Sequence, residues 1–213
     1  VNPATALAMV RHVLKGPKGE WLLLSAAGST LGKMLVRLGR HDGFKTLCVV
    51  RRSEAKQELI DLGADAVISS SEGPVPEQVR RITGDDGPRY ALDPIGGEAG
   101  TAIFQSLGRG GRLIVYGSLT GEPIQVDPRS LISSRTSVEG FWLGHWMAER
   151  SIPGALRLFR EIAALIRNGV LAADVGRSYP LEQVRDAVRD AGQVGRGGKV
   201  LLRMSSPRNP PDA

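Results

Sequence analysis

WLLLSAAGSTLGKMLVRLG, residues 21–39, decides how the rest of the chain is read. Its opening, Trp21-Leu22-Leu23-Leu24, is a short apolar run of the kind that forms a strand buried on both faces of a parallel sheet. Small residues follow: Ser25, Ala26, Ala27, Gly28, Ser29 and Thr30. Leu31, Met34, Leu35 and Leu38 then recur at i, i+3, i+4 and i+7, the apolar stripe of an amphipathic helix. Strand, small-residue turn and helix make the setting in which backbone N–H groups at a helix N-terminus hold an anion. Counted back from Gly32, the G-x-G-x-x-G spacing becomes Ala27-x-Ser29-x-x-Gly32, with other small residues at two of the glycine positions. Taken alone, the turn reads equally well as an ordinary strand-to-helix connection.

A chain of 213 residues can bury a full core and fits one large domain, or a domain with an appendage. Its 41% apolar and 23% charged content is that of a globular protein, and no apolar run approaches the roughly 20 residues that span a bilayer. Val1-Asn2-Pro3 is neither a secretory signal nor a start methionine, which is expected of a fragment. The single Cys48 can make no internal disulfide, so a reducing, cytoplasmic setting is expected, and its apolar neighbours predict a buried, inert thiol. His12, His41 and His145 show no metal-ligand spacing, and no metal is expected. The net charge of +6 raises nucleic acid as a partner, yet the 28 Lys and Arg residues are dispersed with no basic run of five. A basic surface suited to a phosphorylated small molecule is the simpler reading.

Along the chain, Asn2 is expected to cap a first helix with Pro3 at its first position and Leu7, Val10, Val13 and Leu14 as its stripe. Gly16 to Gly19 then lead into the first strand. A second buried strand, Thr46 to Val50, ends at Arg51-Arg52-Ser53, about 20 residues beyond the turn. A carboxylate there would read the 2′-hydroxyl of NAD, whereas two guanidiniums and a hydroxyl suit a 2′-phosphate and so NADPH. The bland alternative is a solvated basic turn. Helix and strand patterns then alternate: helices at Glu54–Leu62, Glu77–Thr83 and Glu98–Leu107, strands at Ala66–Ser69, Tyr90–Asp93 and Arg112–Tyr116. Such alternation predicts a doubly wound parallel α/β sheet, whose ligands bind beyond the carboxyl ends of the strands. Downstream, a short helix is expected at Leu131 and a sixth strand at Val138–Leu143. A helix follows over Pro153–Asn168 with Leu156, Phe159, Ile162, Ala163 and Ile166 on one face. Leu181–Ala191 reads as a last helix, Lys199–Met204 as a last strand, and 205–213 as a disordered tail.

Several segments together resemble one family: V-N-P-x-T-A, S-A-A-G-S-T-L-G, V-V-R-R, L-G-A-D-x-V-I, G-G-R-L-I-V-Y-G and G-F-W-L-x-x-W. They look like the cofactor half of a medium-chain dehydrogenase/reductase. Within that superfamily they are most similar to the zinc-independent trans-2-enoyl reductases of mitochondrial type, which act on CoA or acyl-carrier-protein thioesters. The resemblance implies a six-stranded Rossmann-type sheet over residues 1–172. It also implies that 173–204 is a return segment, a helix and a strand, belonging to a GroES-like domain outside this sequence. By position it places Asn2 near the nicotinamide end of the cofactor and Ser29, Thr30, Leu31 and Gly32 on the pyrophosphate. Arg51, Arg52 and Ser53 fall on the 2′-phosphate, and Tyr116, Gly117, Ser118 and Leu119 around the nicotinamide. Phe141, Trp142 and Leu143 come where nicotinamide meets substrate, with Trp142 in the acyl pocket, and Lys199 returns to the cofactor site. The family's catalytic tyrosine matches none of Tyr90, Tyr116 and Tyr179.

The expected activity is therefore reduction of the 2,3 double bond of an enoyl thioester with NADPH, by a homodimer joined through the edge strand at Val138–Leu143. An NADPH:quinone reductase with the same cofactor half is the second reading. A nucleotide-binding module without catalysis is the third. No nucleic acid or membrane partner is expected, and the segment alone is expected to bind cofactor weakly and turn nothing over.

Overall fold

The computed structural model describes residues 1–15, 18–193 and 198–204, and the chain divides into two units, Val1–Ala172 and Ala173–Ala213. In the first unit, six parallel strands form one sheet: β1 (Trp21–Leu24), β2 (Lys45–Val50), β3 (Ala66–Ser69), β4 (Tyr90–Asp93), β5 (Arg112–Val115) and β6 (Ser137–Gly140). Their order is β3-β2-β1-β4-β5-β6, so the strand order reverses between β1 and β4, as in a Rossmann sheet. The helices of this unit are α1 (Asn2–Leu7), α2 (Thr30–Asp42), α3 (Lys56–Leu62), α4 (Val75–Thr83), α5 (Gly97–Gln105), α6 (Pro128–Ser133), α7 (Leu143–Ala148) and α8 (Ile152–Arg167).

Strand alternation divides the core between the two faces of the sheet. Leu22, Leu24, Cys48, Val50, Leu92 and Ile114 pack with α1, α2 and α8, through Leu7, Leu35, Leu38, Leu158 and Ile162 among others. Leu23, Leu47, Val49, Ala91 and Leu113 pack on the other face with Val75 and Val79 of α4 and Ile103 and Phe104 of α5. Both faces are thus covered, which explains why the strands are apolar runs rather than alternating ones.

Four expectations change in detail. The first helix begins at Asn2 with Val1 at its N-cap, so Asn2 does not cap it. Proline fits anywhere in a first turn, and its position did not fix the start. This helix continues through Ala8–Val13 with a wider winding, in which the Leu14 N–H bonds five residues back to the Met9 carbonyl at 2.9 Å. Strand β6 stops at Gly140. Phe141 and Trp142 form a connection, and Leu143 opens α7, because Leu143, Trp146 and Met147 lie at helical spacing and pack on the core. On α8 the buried stripe is Leu158, Ile162 and Leu165, while Leu156, Phe159 and Ile166 are exposed at 53, 54 and 43%. The helix carries two apolar stripes, and periodicity could not say which faces inward.

The second unit contains β7 (Val175–Pro180), α9 (Val184–Ala191) and β8 (Lys199–Arg203), with β7 and β8 paired in parallel. β7 was not expected, because Val-Gly-Arg-Ser-Tyr-Pro is polar and largely exposed and carries no period-2 signal. Tyr179 donates from its hydroxyl to Asp190 on α9 at 3.1 Å, tying strand to helix. The tail 205–213, and Gly16 and Pro17, lie outside the described residues. Among the described residues no helix is long and apolar enough to cross a membrane.

Candidate active site

The turn after β1 is shaped by three local constraints. Ala26 holds a left-handed backbone (φ 47°) that turns the chain sharply out of the strand. Ser29 caps α2, its Oγ accepting the Gly32 N–H at 3.1 Å. Gly32 lies where any Cβ would stand 2.3 Å from the Ala27 carbonyl oxygen. That is the close strand-to-helix approach for which the last glycine of the spacing is needed. Ser29 therefore uses its oxygen for the cap and keeps only its O–H for an anion. Thr30 and Leu31 complete the first turn of α2, and Lys33, buried in the next, pairs with Glu58 of α3.

At the end of β2, Arg51 and Arg52 are exposed, and neither guanidinium has a side-chain hydrogen bond or ion pair among the described residues. Ser53 is engaged: its hydroxyl donates at 2.7 Å to Glu72, which also pairs with Lys56. Lys56 and then Ser53 hold the Glu72 carboxyl below its usual range. Glu72 follows β3 in the chain, and only the pairing of β3 beside β2 brings it here. Sequence separation concealed it.

Beyond the carboxyl ends of β5 and β6 lies a cleft of about 660 Å³. Tyr116, Gly117, Ser118, Phe141 and Trp142 all line it, together with Glu139 and His145. Trp142 is 68% exposed, whereas Phe141 is buried. The Phe141 ring is tilted 53° against the Trp146 ring at 6.2 Å, the His12 ring is tilted 49° against it at 5.3 Å, and the Arg150 guanidinium lies 3.5 Å over the Trp146 ring centroid. Burial, then the nearby Arg150 charge, holds His12 below its usual value. Glu139 is gripped by Arg112 at 2.9 and 2.8 Å and is kept an anion by it. The Tyr116 hydroxyl is buried and has no hydrogen-bond partner among the described residues, and burial followed by the charge of Asp93 raises it well above its usual range. It stays protonated at neutral pH.

Leu119 is 76% exposed just beyond this wall, and its N–H donates to the Pro94 carbonyl at 3.0 Å. Leu143 is half-buried at the start of α7. Asn2 does not line the cleft, and Lys199 opens β8 in the second unit. The sequence-derived residues from Ser29 to Leu143 thus share the carboxyl edge of one sheet, along β2, β1, β5 and β6. Glu139, His145, Trp146 and Glu72 were not expected there. Of these, Trp146 had a signal, since it ends G-F-W-L-x-x-W. Among the described residues no group of three or more His, Cys, Asp or Glu side chains is placed to hold a metal ion.

The family model described as zinc-binding dehydrogenase matches residues 30–161, more than half of the chain. The chain belongs to that family. With it comes membership of the medium-chain dehydrogenase/reductase superfamily, to which the enoyl and quinone reductases below belong. The human mitochondrial enoyl-[acyl-carrier-protein] reductase is 29% identical over 208 residues, which are 96% of this chain and 56% of that protein. A provisionally named NADPH:quinone reductase from Bacillus thuringiensis superposes with a TM-score of 0.87 at 30% identity, covering 94% of this chain and 61% of that one. A mycobacterial protein complexed with NADPH superposes with a TM-score of 0.82 at 25% identity, covering 95% and 62%. The chain therefore spans little more than half the length of the curated relatives it matches.

Proposed function

We propose that this chain is the cofactor-binding part of an NADPH-dependent oxidoreductase that reduces the 2,3 double bond of enoyl thioesters. The observation that carries the reading is the line of groups along one sheet edge. A capped helix N-terminus follows β1, two arginines without an ion-pair partner among the described residues follow β2, and an aromatic cleft follows β5 and β6. Their spread suits an extended dinucleotide lying across the point where the strand order reverses. In this reading Ser29 to Gly32 hold the pyrophosphate through backbone N–H groups and the Ser29 hydroxyl. Arg51 and Arg52 grip the 2′-phosphate, joined by Ser53 when Glu72 releases it. Tyr116 to Leu119 flank the nicotinamide, and Phe141, Trp142 and Leu143 hold the acyl end. The contributions of Asn2 and Lys199 rest on the family resemblance. So does the role of the unit from Ala173 as a return segment toward a catalytic domain.

NADPH, when bound, supplies the hydride, delivered to the β-carbon of the thioester with a proton added at the α-carbon. What these residues supply is position: Phe141 and Trp142 line a cleft in which the acceptor carbon is aligned. None of Tyr90, Tyr116 and Tyr179 is assigned as the proton donor. This chain by itself is taken to bind cofactor weakly and to turn nothing over. A homodimer joined through β6, which is an edge of the sheet, belongs to the same reading, as does a cytoplasmic location suited to the reduced Cys48. The human relative, by contrast, is named as mitochondrial. An NADPH:quinone reductase with the same cofactor half is the second reading, and the likeness to the Bacillus thuringiensis protein is what supports it.

One experiment addresses cofactor and substrate together. NADPH and NADH are titrated onto wild type and Arg51→Ala, and the full-length protein is assayed with crotonyl thioester and with a quinone. Wild type is expected to prefer NADPH, and Arg51→Ala to lose about 1–3 kcal/mol of that preference, the worth of charge-assisted bonds. Reduction of quinone alone overturns the thioester reading, and equal binding of both cofactors by wild type overturns the phosphate reading.

A further inference from the structure

Asp93 ends β4, at the point where the strand order reverses, and it is fully buried. Its two carboxyl oxygens serve two different loops. Oδ1 accepts from the hydroxyl of Ser25, the first residue after β1, and Oδ2 accepts the N–H of Gly96 at 2.8 Å, in the loop that leads into α5. Ser25 is buried as well, and its own N–H donates to the Leu92 carbonyl at 3.2 Å. On the third side Gly100 leaves just enough room: a Cβ there would stand 2.7 Å from Oδ2. No cation pairs with Asp93 among the described residues.

A buried carboxyl is expensive to keep, and the fold alone would be served as well by an apolar residue of similar size. Its oxygens are committed instead to the two loops that flank the crevice between β1 and β4. The residue after Ser25 is Ala26, held in the left-handed region, a conformation that a non-glycine residue keeps only when its neighbours enforce it. We propose that Asp93 is a positioning residue for the cofactor. By fastening Ser25 on one side and Gly96 on the other, it sets the width of the crevice through which the pyrophosphate crosses from the β1 turn toward the β5 loop. This rests on the dinucleotide reading above.

The test compares two ligands on the full-length protein. NADPH crosses the crevice; adenosine 2′-monophosphate carries the 2′-phosphate but no 5′-phosphate and stays at the β2 end. Both are titrated onto wild type, Ser25→Ala and Asp93→Asn, with thermal unfolding followed alongside. Ser25→Ala removes one hydroxyl only and keeps the fold; it is expected to weaken NADPH by about fivefold or more, the scale of one buried hydrogen bond, and adenosine 2′-monophosphate by less than about twofold. Asp93→Asn can accept from Gly96 with its amide oxygen and donate to the Ser25 oxygen with its amide nitrogen. It is expected to stay within about threefold of wild type for both ligands. NADPH affinity unchanged in Ser25→Ala, or an equal loss for both ligands, overturns the positioning role while leaving the dinucleotide reading in place. A wild type that binds neither ligand overturns that reading and this one with it.

Discussion

Two small residues of the β1 turn serve opposite needs. Ser29 stands where the familiar spacing has glycine and uses its side chain, capping α2 at the Gly32 N–H. Gly32 stands where no side chain is tolerated, with the Ala27 carbonyl 2.3 Å from any added Cβ. For Gly32→Ala two effects compete. Alanine in a helix gains up to about 1 kcal/mol over glycine, while forcing an atom against backbone that cannot step aside costs about 1–3 kcal/mol. The clash wins, because the obstacle is a carbonyl and not the end of a flexible side chain. Gly32→Ala is expected to be less stable in urea and to bind NADPH weakly. An unchanged denaturation midpoint would show that β1 and α2 can move apart freely. Cys48 shows the same precision in a different chemistry: burial first, then Asp65, pushes its thiol up to about 12, so it is kept as an inert filler of the sheet core.

Among the elements, the wide-wound segment Ala8–Val13 is the one whose placement most needs explaining. Its widening turns Met9, Val10 and Leu14 into the core and leaves Arg11 half-buried at its edge, where the guanidinium bonds Asp42 at the end of α2 and Glu161 on α8. One side chain thus joins three helical segments along the same face of the sheet. Burial would raise the Asp42 carboxyl, but the hydrogen bonds from Arg11 and His41 outweigh it and hold the group below its usual value. A carboxyl depressed in the folded state stabilises above its unfolded value, near 4, and that contribution is lost as pH falls through the lower folded value. Stability measured by chemical denaturation should therefore fall as pH drops below the unfolded carboxyl value, near 4. Asp42→Asn should cost about 1–2 kcal/mol at pH 7 and flatten that acid limb, the scale of a partly buried charge-assisted pair. An acid limb as steep in the variant as in wild type would place the linkage on other carboxylates.

For the whole molecule the net charge of +6 matters because it is spread over the surface and concentrated in no run. A diffuse positive field attracts an anionic cofactor over roughly a Debye length and loses reach as salt is added. Raising sodium chloride from roughly 50 to roughly 500 mM is therefore expected to weaken NADPH more than NADH, since only the former carries the 2′-phosphate. Equal salt slopes for the two would remove Arg51 and Arg52 from the grip. The residues themselves determined the α/β class, six parallel strands and the position of the β1 turn, because those features are periodic and local: Leu22 to Leu24 and Thr46 to Val50 declare buried strands without help. The resemblance carried by G-F-W-L-x-x-W singled out Phe141 and Trp142, and both line the cleft after β5 and β6. Sequence could not tell that Leu158, and not Phe159, faces the core, that Trp142 precedes a helix, or that Val175 to Pro180 is a strand, since each depends on which partner lies opposite. Glu72 beside Ser53, and Asp93 beside Ser25, were decided only by strand order. Parallel pairing sets residues far apart in the chain side by side, and no local pattern encodes which strand becomes the neighbour.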